Sequence, residues 1–229
     1  MVRQNNTKDV STVRGIKGGY MFVAPVAKAE GKYPVDYTSK LDEVWENAGF
    51  ISEDGFTEEL DSDTPDPIVD INGDTVDAPD GTHTETIEMM LISVNKDSLS
   101  IQFGHENVTD ENGMITVDHN WSKASEELGV VLDLVLKNGR RWRKVVKTAK
   151  VTELGEFNGK STAVGGRNVK MTYLSDESGS NAKDYIESTE TTLDLSSMTK
   201  EQLVAYATAR GIEVPSNATK EDIIALING

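Results

Sequence analysis

The feature that most constrains the fold is a pair of apolar-rich segments on either side of Asn138 and Gly139. Residues 129–151 read "GVVLDLVLKNGRRWRKVVKTAKV". An Asn-Gly pair between two such segments is typical of a β-hairpin with a two-residue type I′ turn. In that register Asp133 meets Lys144 across the hairpin. The chain is therefore predicted to be mainly β, with antiparallel strands at its centre.

The same hairpin carries a basic cluster, because residues 137–150 contain seven Lys and Arg in fourteen positions. A nucleic-acid-binding surface usually gathers its cations on one face. The predicted register distributes them over both faces of the hairpin, in a chain whose formal net charge is −16. We therefore interpret four of these cations as candidate subunit contacts rather than DNA contacts: Arg140, Arg141, Arg143 and Lys144.

An acidic region precedes the hairpin. Residues 42–88 hold sixteen Asp and Glu and no Lys or Arg. Within it, residues 57–82 contain three prolines and are predicted to form a long, mostly irregular acidic loop, with a short strand pair around "IVDINGDTV". Its candidate subunit-contact residues are Asp61, Asp63, Asp66, Asp70, Asp74 and Asp77.

Other segments give shorter signals. A strand is predicted in "GGYMFVAPVA" from Gly18, and further strands in "ETIEMMLISV" and in "AVGGRNVKMTYL". In "SKLDEVWENAG" the apolar residues stand at helical spacing, which predicts a short helix before Gly49. A second helix is predicted in "NKDSLSIQFG", where Asn95 serves as the N-cap and Gly104 ends the helix.

The C-terminal end differs in composition. Residues 175–192 are rich in Ser, Thr, Asp and Glu and are predicted to be a linker. Residues 193–229 are predicted to form two helices joined by an extended "IEVPSNA". A capping-box pattern at Thr199 and Gln202 begins the first helix, and Thr219 caps the second. The chain is therefore predicted to consist of three parts. A first domain spans residues 1–174 and begins with an N-terminal arm at 1–17; the linker at 175–192 and the helical module at 193–229 follow.

Little in the sequence indicates catalysis. The chain has no cysteine, which excludes disulfides and thiolate metal sites, and its three histidines lie in unrelated contexts. We predict no catalytic residues, no metal site and no cofactor. The N-terminus lacks the apolar segment of a signal peptide, so synthesis is expected in the cytoplasm, with no membrane association.

The order of the motifs resembles one family. "GGYMFVAP", "WENAGFISEDG", "NKDSL" and "RKVVKTAKVTELGE" follow one another as in the major tail protein of long-tailed, non-contractile bacteriophages of Gram-positive hosts. The resemblance implies two packed antiparallel sheets with a flanking helix, in subunits that form stacked hexameric rings. The resulting tube conducts DNA during ejection and joins the tape measure, terminator and distal tail proteins. The C-terminal segment is similar to helix–extended-loop–helix modules appended to such proteins.

Electrostatics supports this interpretation independently, because proteins hold DNA largely through Lys and Arg contacts to phosphate. A conduit must avoid that affinity, and an acidic subunit does so. Three alternatives stay open: a nucleic-acid-binding or regulatory adaptor, an enzyme that acts on polysaccharides through paired carboxylates, and the tube of a contractile tail or a phage-derived particle.

Overall fold

The computed structural model describes residues 12–124, 126–160, 163–188, 195–209 and 212–228. This part of the chain is mainly β, which confirms the predicted fold class. Its strands are β1 (Val13–Gly15), β2 (Met21–Pro25), β3 (Glu46–Asn47), β4 (Ile51–Asp63), β5 (Ile68–Val69), β6 (Thr75–Asp77), β7 (Thr82–Leu91), β8 (Val108–Glu111), β9 (Met114–Val117), β10 (Glu127–Leu136), β11 (Arg141–Lys160), β12 (Ala163–Tyr173) and β13 (Lys183–Ile186). Its helices are α1 (Val26–Ala29), α2 (Lys96–Phe103), α3 (Trp121–Ala124), α4 (Lys200–Ala209) and α5 (Lys220–Asn228).

Nine strands form one large sheet in the order β3-β2-β10-β11-β12-β7-β4, with β1 beside β10 and β13 beside β11. Neighbours such as β2 and β10, β11 and β12, and β4 and β7 are antiparallel. β5 pairs with β6, and β8 pairs with β9, as separate two-stranded sheets. Over the described residues the large sheet is open, with β3 and β4 at its two edges.

The chain divides into two compact units, each discontinuous in sequence. The larger unit comprises residues 15–133 and 143–185, and one of its core clusters consists of buried Ala24, Ala29, Trp45, Val131 and Val145. Among the described residues, the smaller unit comprises 12–14, 134–142, 186–188, 195–209 and 212–228, with a core of Leu195, Leu203, Ala207, Ala218 and Ile223. The predicted division at 174 and 192 stays a prediction.

The helix predicted in residues 39–49 does not form, and that prediction was wrong. Asp36 accepts hydrogen bonds from the backbone N–H groups of Thr38 and Ser39, both at 2.6 Å, in a local turn at the start of this segment. Further on, β3 pairs with β2 in the large sheet. Trp45 is nevertheless buried, as its apolar spacing suggested. The apolar spacing therefore predicted the burial of Trp45 correctly but predicted a helix where the backbone is not helical.

Helix α2 and the C-terminal helices begin where the sequence predicts. The Asn95 side chain accepts from the N–H of Ser98 at 2.8 Å, and α2 ends before Gly104. Thr199 and Gln202 form the predicted reciprocal capping box, at 2.9 and 3.2 Å. Thr219 caps α5 through the N–H of Asp222 at 3.2 Å, and Asp222 in turn accepts from the N–H of Thr219. These predictions are confirmed. The sequence contains enough information for them because each cap joins residues that are fewer than five positions apart.

The turn at Asn138 and Gly139 is one residue longer than predicted. Lys137–Gly139 forms a 3₁₀ turn, and the N–H of Leu136 donates to the carbonyl of Arg140 at 2.8 Å. Gly139 has φ = 77°, which is typical of a three-residue hairpin that ends on a left-handed glycine. The extra residue moves the register by one position, and a one-residue shift exchanges the faces of all side chains.

Half of the predicted acidic loop is regular. β4 continues to Asp63, which pairs with Thr82 at the start of β7, so that the irregular part is confined to residues 64–81. In the predicted linker, residues 183–186 form β13, and residues 189–194 lie outside the described residues. Most of the predicted N-terminal arm also lies outside them, although Val13–Gly15 forms β1.

Candidate assembly site: the acidic arm and its anchor

We name residues 57–82 the acidic arm, which is the outer part of β4, the start of β7 and the chain between them. It holds nine Asp and Glu and no Lys or Arg. From Thr57 to Asp63 every residue of β4 is exposed, and so are the first three residues of β7. The arm is therefore a two-stranded ribbon that exposes both of its faces.

The tip of the arm is apolar as well as acidic. β5 and β6 pair there as a small hairpin, with Ile68 opposite Asp77. Ile68, Val69 and Val76 are more than half exposed, and Ile71 is fully exposed. A lone two-stranded hairpin is marginally stable in water, and grouped exposed apolar side chains mark binding surfaces. The tip has the composition of a surface that is covered by a partner.

The six aspartates predicted as contact residues all lie on the arm. Asp70 is the one that organises the tip, because its carboxylate accepts from the N–H groups of Asn72 and Asp74 at 2.8 and 2.9 Å. These hydrogen bonds lower the pKa of Asp70. The other five are exposed: Asp61, Asp63, Asp66, Asp74 and Asp77. Among the described residues, no three acidic or histidine groups are arranged to hold a metal ion.

An ionic cluster holds the base of the arm. The carboxylate of Glu58, at the start of the arm, accepts from the Tyr173 hydroxyl at 2.7 Å and lies 3.0 Å from Lys144 Nζ. Lys144 also lies 3.4 Å from Asp184. Burial lowers the pKa of Lys144, but Glu58 and Asp184 outweigh burial and raise it overall. Burial, and then the charge of Glu58, raise the pKa of Tyr173. The cluster fixes the arm to β11 and β12.

Lys144 was predicted to meet Asp133 and to contact a neighbouring subunit. Its side chain is only 9% exposed and belongs to the Glu58 cluster instead. The predicted Lys144–Asp133 pair was wrong, because the three-residue turn changes the register. We therefore assign Lys144 to the anchor of the arm within its own subunit. The sequence offered no signal for this, since Glu58, Lys144 and Tyr173 are far apart in the chain.

Arg143 takes the position beside Asp133. Its Nε and Nη2 donate to the two carboxylate oxygens at 2.5 and 2.7 Å, and Nη1 donates to the carbonyls of Asp36 and Ser39 at 3.2 and 2.6 Å. The Arg143 side chain is 3% exposed. A bidentate, buried guanidinium of this kind has its donors committed within the subunit. Arg143 is thus a residue of the interior rather than of an exposed contact surface.

Arg140 and Arg141 lie in the smaller unit, beside Glu187. Arg140 Nε donates to the Glu187 carbonyl at 2.8 Å, and the Arg141 N–H donates to the Glu187 carboxylate at 3.1 Å. Tyr206 of α4 donates its hydroxyl to the same carboxylate at 3.3 Å. Both arginine side chains are half-buried. Of the four predicted cations, these two are half-buried, whereas Arg143 and Lys144 are buried.

One charged cluster had no signal in the sequence. His105 lies between two carboxylates, with Nδ1 2.6 Å from Glu126 and Nε2 3.0 Å from Glu46 of β3. Burial lowers the pKa of His105, but the two carboxylates outweigh burial and raise it. The imidazole therefore connects β3 to the segment before β10, and the charged form pairs with both carboxylates. The three residues come from separate parts of the chain, so their meeting depends on the fold.

None of the helices in the described ranges is long and apolar enough to cross a membrane.

Comparison with solved structures gives weak likenesses to parts of tail-like particles. A chain in the virion of a native gene transfer agent particle is 9% identical to this chain. The alignment covers 76% of this chain and 100% of that chain, with a TM-score of 0.37. A chain in the anti-feeding prophage tube-terminating cap is 12% identical. The alignment covers 78% of this chain and 96% of that chain, with a TM-score of 0.35. A chain in the sheath–tube complex of an extracellular contractile injection system is 10% identical. The alignment covers 75% of this chain and 92% of that chain, with a TM-score of 0.34.

No curated protein matches this chain. The family model described as "Phage tail tube protein" matches residues 6–195, which is most of the 229-residue chain and includes the large sheet and the acidic arm. The chain belongs to the phage tail tube protein family, a family of structural tail proteins.

Proposed function

We propose that this protein is the major tail protein of a long-tailed, non-contractile bacteriophage of a Gram-positive host. Its copies assemble into hexameric rings that stack into the hollow tail tube, through which DNA passes to the host during ejection. Family membership supports the tube role. The observation that carries the assembly is the acidic arm, an exposed ribbon with an apolar tip that the Glu58 cluster holds at its base.

The charge of the chain supports a passage rather than a DNA-binding surface. Its net charge is −16, and the arm alone contributes nine carboxylates with no cation. Acidic residues that face the lumen repel phosphate and keep DNA from adhering to the wall. A net-basic lumen in an assembled tube would contradict this part of the proposal.

The partners of the tube subunit follow from the same role. The subunit binds further copies of itself and, at the tube ends, the tape measure, terminator and distal tail proteins. It is made in the host cytoplasm, functions in the virion tail, and uses no cofactor, catalytic residue or membrane. Arg140 and Arg141 remain candidate contacts to neighbouring subunits. A contractile sheath around the purified tail would instead place the protein in the contractile class.

The proposal is tested by electron microscopy of the purified protein in negative stain. The intact chain should form rings or long hollow tubes. Deletion of residues 60–80 should abolish the tubes while the circular dichroism spectrum still shows a folded β protein, because Thr57 and Glu59 keep their partners Glu88 and Thr86 on β7. The control is Glu111→Gln, which removes a single exposed charge outside the arm. Tubes of normal length from the deletion variant would contradict the role of the arm.

A further inference from the structure

A single imidazole joins one edge of the large sheet to the segment before β10. His105 begins a 3₁₀ turn, His105–Asn107, that follows α2. Its Nδ1 lies 2.6 Å from the Glu126 carboxylate, and its Nε2 lies 3.0 Å from the Glu46 carboxylate of β3. The imidazole is 15% exposed. We name His105, Glu46 and Glu126 the His105 latch.

β3 is a short edge strand. It consists of Glu46 and Asn47, lies at one end of the strand order of the large sheet, and pairs with β2. Directly after it, the N–H of Ala48 donates to the carbonyl of Met21 at 3.0 Å. An edge strand exposes backbone groups with which another chain can pair. The contact between Glu46 and His105 is therefore one of the contacts that hold this edge in place.

The number of protons on the imidazole decides how many contacts of the latch are attractive. A charged imidazole has an N–H group on both nitrogens, so that it can donate to both carboxylates at once. A neutral imidazole has one N–H group and one lone pair. One of the two carboxylates then faces a lone pair, and the two negative partners repel each other. The latch is complete only while His105 is charged.

Glu126 is the carboxylate that keeps its donor when the imidazole is neutral. Its Oε2 lies 2.6 Å from Nδ1, which is the shorter of the two imidazole contacts, and it also accepts from the backbone N–H of His105 at 3.2 Å. The charge of Lys28 on α1 further favours the ionised form of Glu126. The remaining proton is therefore expected on Nδ1, which leaves the Nε2 lone pair facing Glu46.

A second carboxylate increases the effect on Glu46. Asp97 of α2 is half-buried, and burial, followed by the charge of Glu46, raises its pKa. The charges of Lys96 and His105 act in the opposite direction on the same pKa. When His105 loses its charge, the repulsion between Asp97 and Glu46 is screened less. Deprotonation therefore leaves Glu46 beside both a lone pair and a like charge.

We infer that the His105 latch holds the edge strand β3 while the imidazole is protonated and releases Glu46 when the proton is lost. Release is local, because Trp45, next to Glu46, is 6% exposed and belongs to the core. The two carboxylates raise the pKa of His105 above its ordinary value of 6.5, so that the latch holds below pH 6.5 and opens as pH rises through the raised pKa. The readiness of this edge to pair with another chain thus depends on pH. The release takes place within one subunit, whether or not copies assemble.

Nitrogen-15 NMR of the imidazole in the intact protein tests the protonation pattern. A ring nitrogen that carries a proton differs in chemical shift from one that carries a lone pair. Above the raised pKa, His105 should show the proton on Nδ1 and the lone pair on Nε2. A proton on Nε2 would overturn the inference, because Glu46 would then keep its donor. An imidazole that is still charged at about pH 9, far above the ordinary His pKa, would also overturn it.

Hydrogen exchange at the amide of Ala48 tests the release of the edge. After correction for the intrinsic exchange rate, this amide should exchange about three-fold faster or more at about pH 8.5 than at about pH 6. The amide of Leu174, which donates to the carbonyl of Thr148 at 2.8 Å in another part of the sheet, should change less. Equal changes at the two amides would indicate general loosening and would contradict a local latch, as would an unchanged rate at Ala48.

Two variants separate the latch from an ordinary ion pair. In Glu46→Gln the side-chain amide accepts from a charged imidazole and donates to the Nε2 lone pair of a neutral one, so that exchange at Ala48 should become independent of pH. The matched control is Glu106→Gln, which removes an exposed carboxylate next to His105 that pairs with Lys123 at 3.8 Å. This control should keep the wild-type pH dependence. The inference fails if Glu46→Gln keeps that dependence too.

Discussion

At the scale of single residues, the basic hairpin separates into cations with different roles. Arg143 lies in the interior against Asp133, and Lys144 holds the base of the arm through Glu58. Arg140 and Arg141 lie beside Glu187 in the smaller unit. A run of similar residues in the sequence therefore gives three structural environments. Burial and the nearest carboxylate decide which environment each cation occupies.

The Arg143–Asp133 pair should be a large single contribution to stability. Asp133→Ala leaves a buried guanidinium without its carboxylate, and we expect a loss of about 3–5 kcal/mol in the free energy of unfolding. The urea midpoint measures this loss. Glu59→Ala removes the partner of Lys170 at an exposed ion pair and should cost about 1 kcal/mol or less. Equal losses in the two variants would contradict the buried role of Arg143.

His105 should make stability depend on pH in a defined direction. Its pKa is raised in the folded protein above the ordinary value of 6.5, since Glu126 and Glu46 outweigh the opposing effect of burial. The charged imidazole therefore stabilises the fold fully below pH 6.5, and this contribution is lost as pH rises through the raised pKa. His105→Gln removes it.

The measurement compares the free energy of unfolding of the two proteins between about pH 5.5 and pH 8.5, a range chosen to bracket the ordinary His pKa. The wild-type protein should lose its advantage over His105→Gln as pH rises. Parallel profiles would show that His105 does not titrate across this range in the way that the two flanking carboxylates require.

At the scale of elements, two Asn-Gly pairs adopt two different turns. At Asn112 and Gly113 both residues have positive φ, 55° and 77°, and β8 and β9 meet in the two-residue turn that such a pair favours. At Asn138 and Gly139 the same dipeptide lies in a three-residue turn. The dipeptide lies at a hairpin turn in both places, whereas the loop length depends on the pairing of the adjoining strands.

The capping of α5 offers a local test. Thr219→Ala removes the hydroxyl that caps the N–H of Asp222, and loss of such a cap costs about 1 kcal/mol. Hydrogen exchange at the amide of Ile223, which donates to the carbonyl of Thr219, should become several-fold faster. Thr219→Ser keeps the hydroxyl and should exchange as the wild type does. Faster exchange in both variants would indicate that the methyl group, rather than the cap, matters.

At the scale of the whole molecule, charge is the dominant property. The net charge of −16 comes from 39 acidic and 23 basic residues, and several of the basic residues are already paired within the subunit. A solvated acidic protein repels other polyanions over a distance of about 10 Å at moderate salt. A strongly negative net charge is what we expect of the proposed DNA passage, whereas a nucleic-acid-binding adaptor needs a surface rich in Lys and Arg.

The purified protein should therefore show no binding to double-stranded DNA, even at about 50 mM salt, where phosphate contacts are strong. Fluorescence anisotropy of a labelled duplex measures this. As a control, the double variant Arg140→Ala with Arg141→Ala should give the same trace as the wild type. Salt-dependent binding that the double variant loses would instead support an adaptor that uses the hairpin.

The sequence by itself determined the class of structure and the features that depend on near neighbours. Alternating and apolar segments predicted a mainly β chain, and short-range hydrogen bonds placed the caps at Asn95, Thr199 and Thr219. The order of motifs also predicted the family that residues 6–195 match. These results follow because helix caps, strand patterns and family motifs are contained in short stretches of chain.

Only the tertiary structure decided how distant segments meet. The pairing of Asp133 with Arg143 depends on one extra residue in a turn, and the replacement of a predicted helix by β3 depends on pairing with β2. The Glu58 and His105 clusters join residues that the sequence separates widely. Such contacts depend on strand register and burial, which are properties of the complete sheet. No local pattern contains them, because their energy arises only when the sheet has formed.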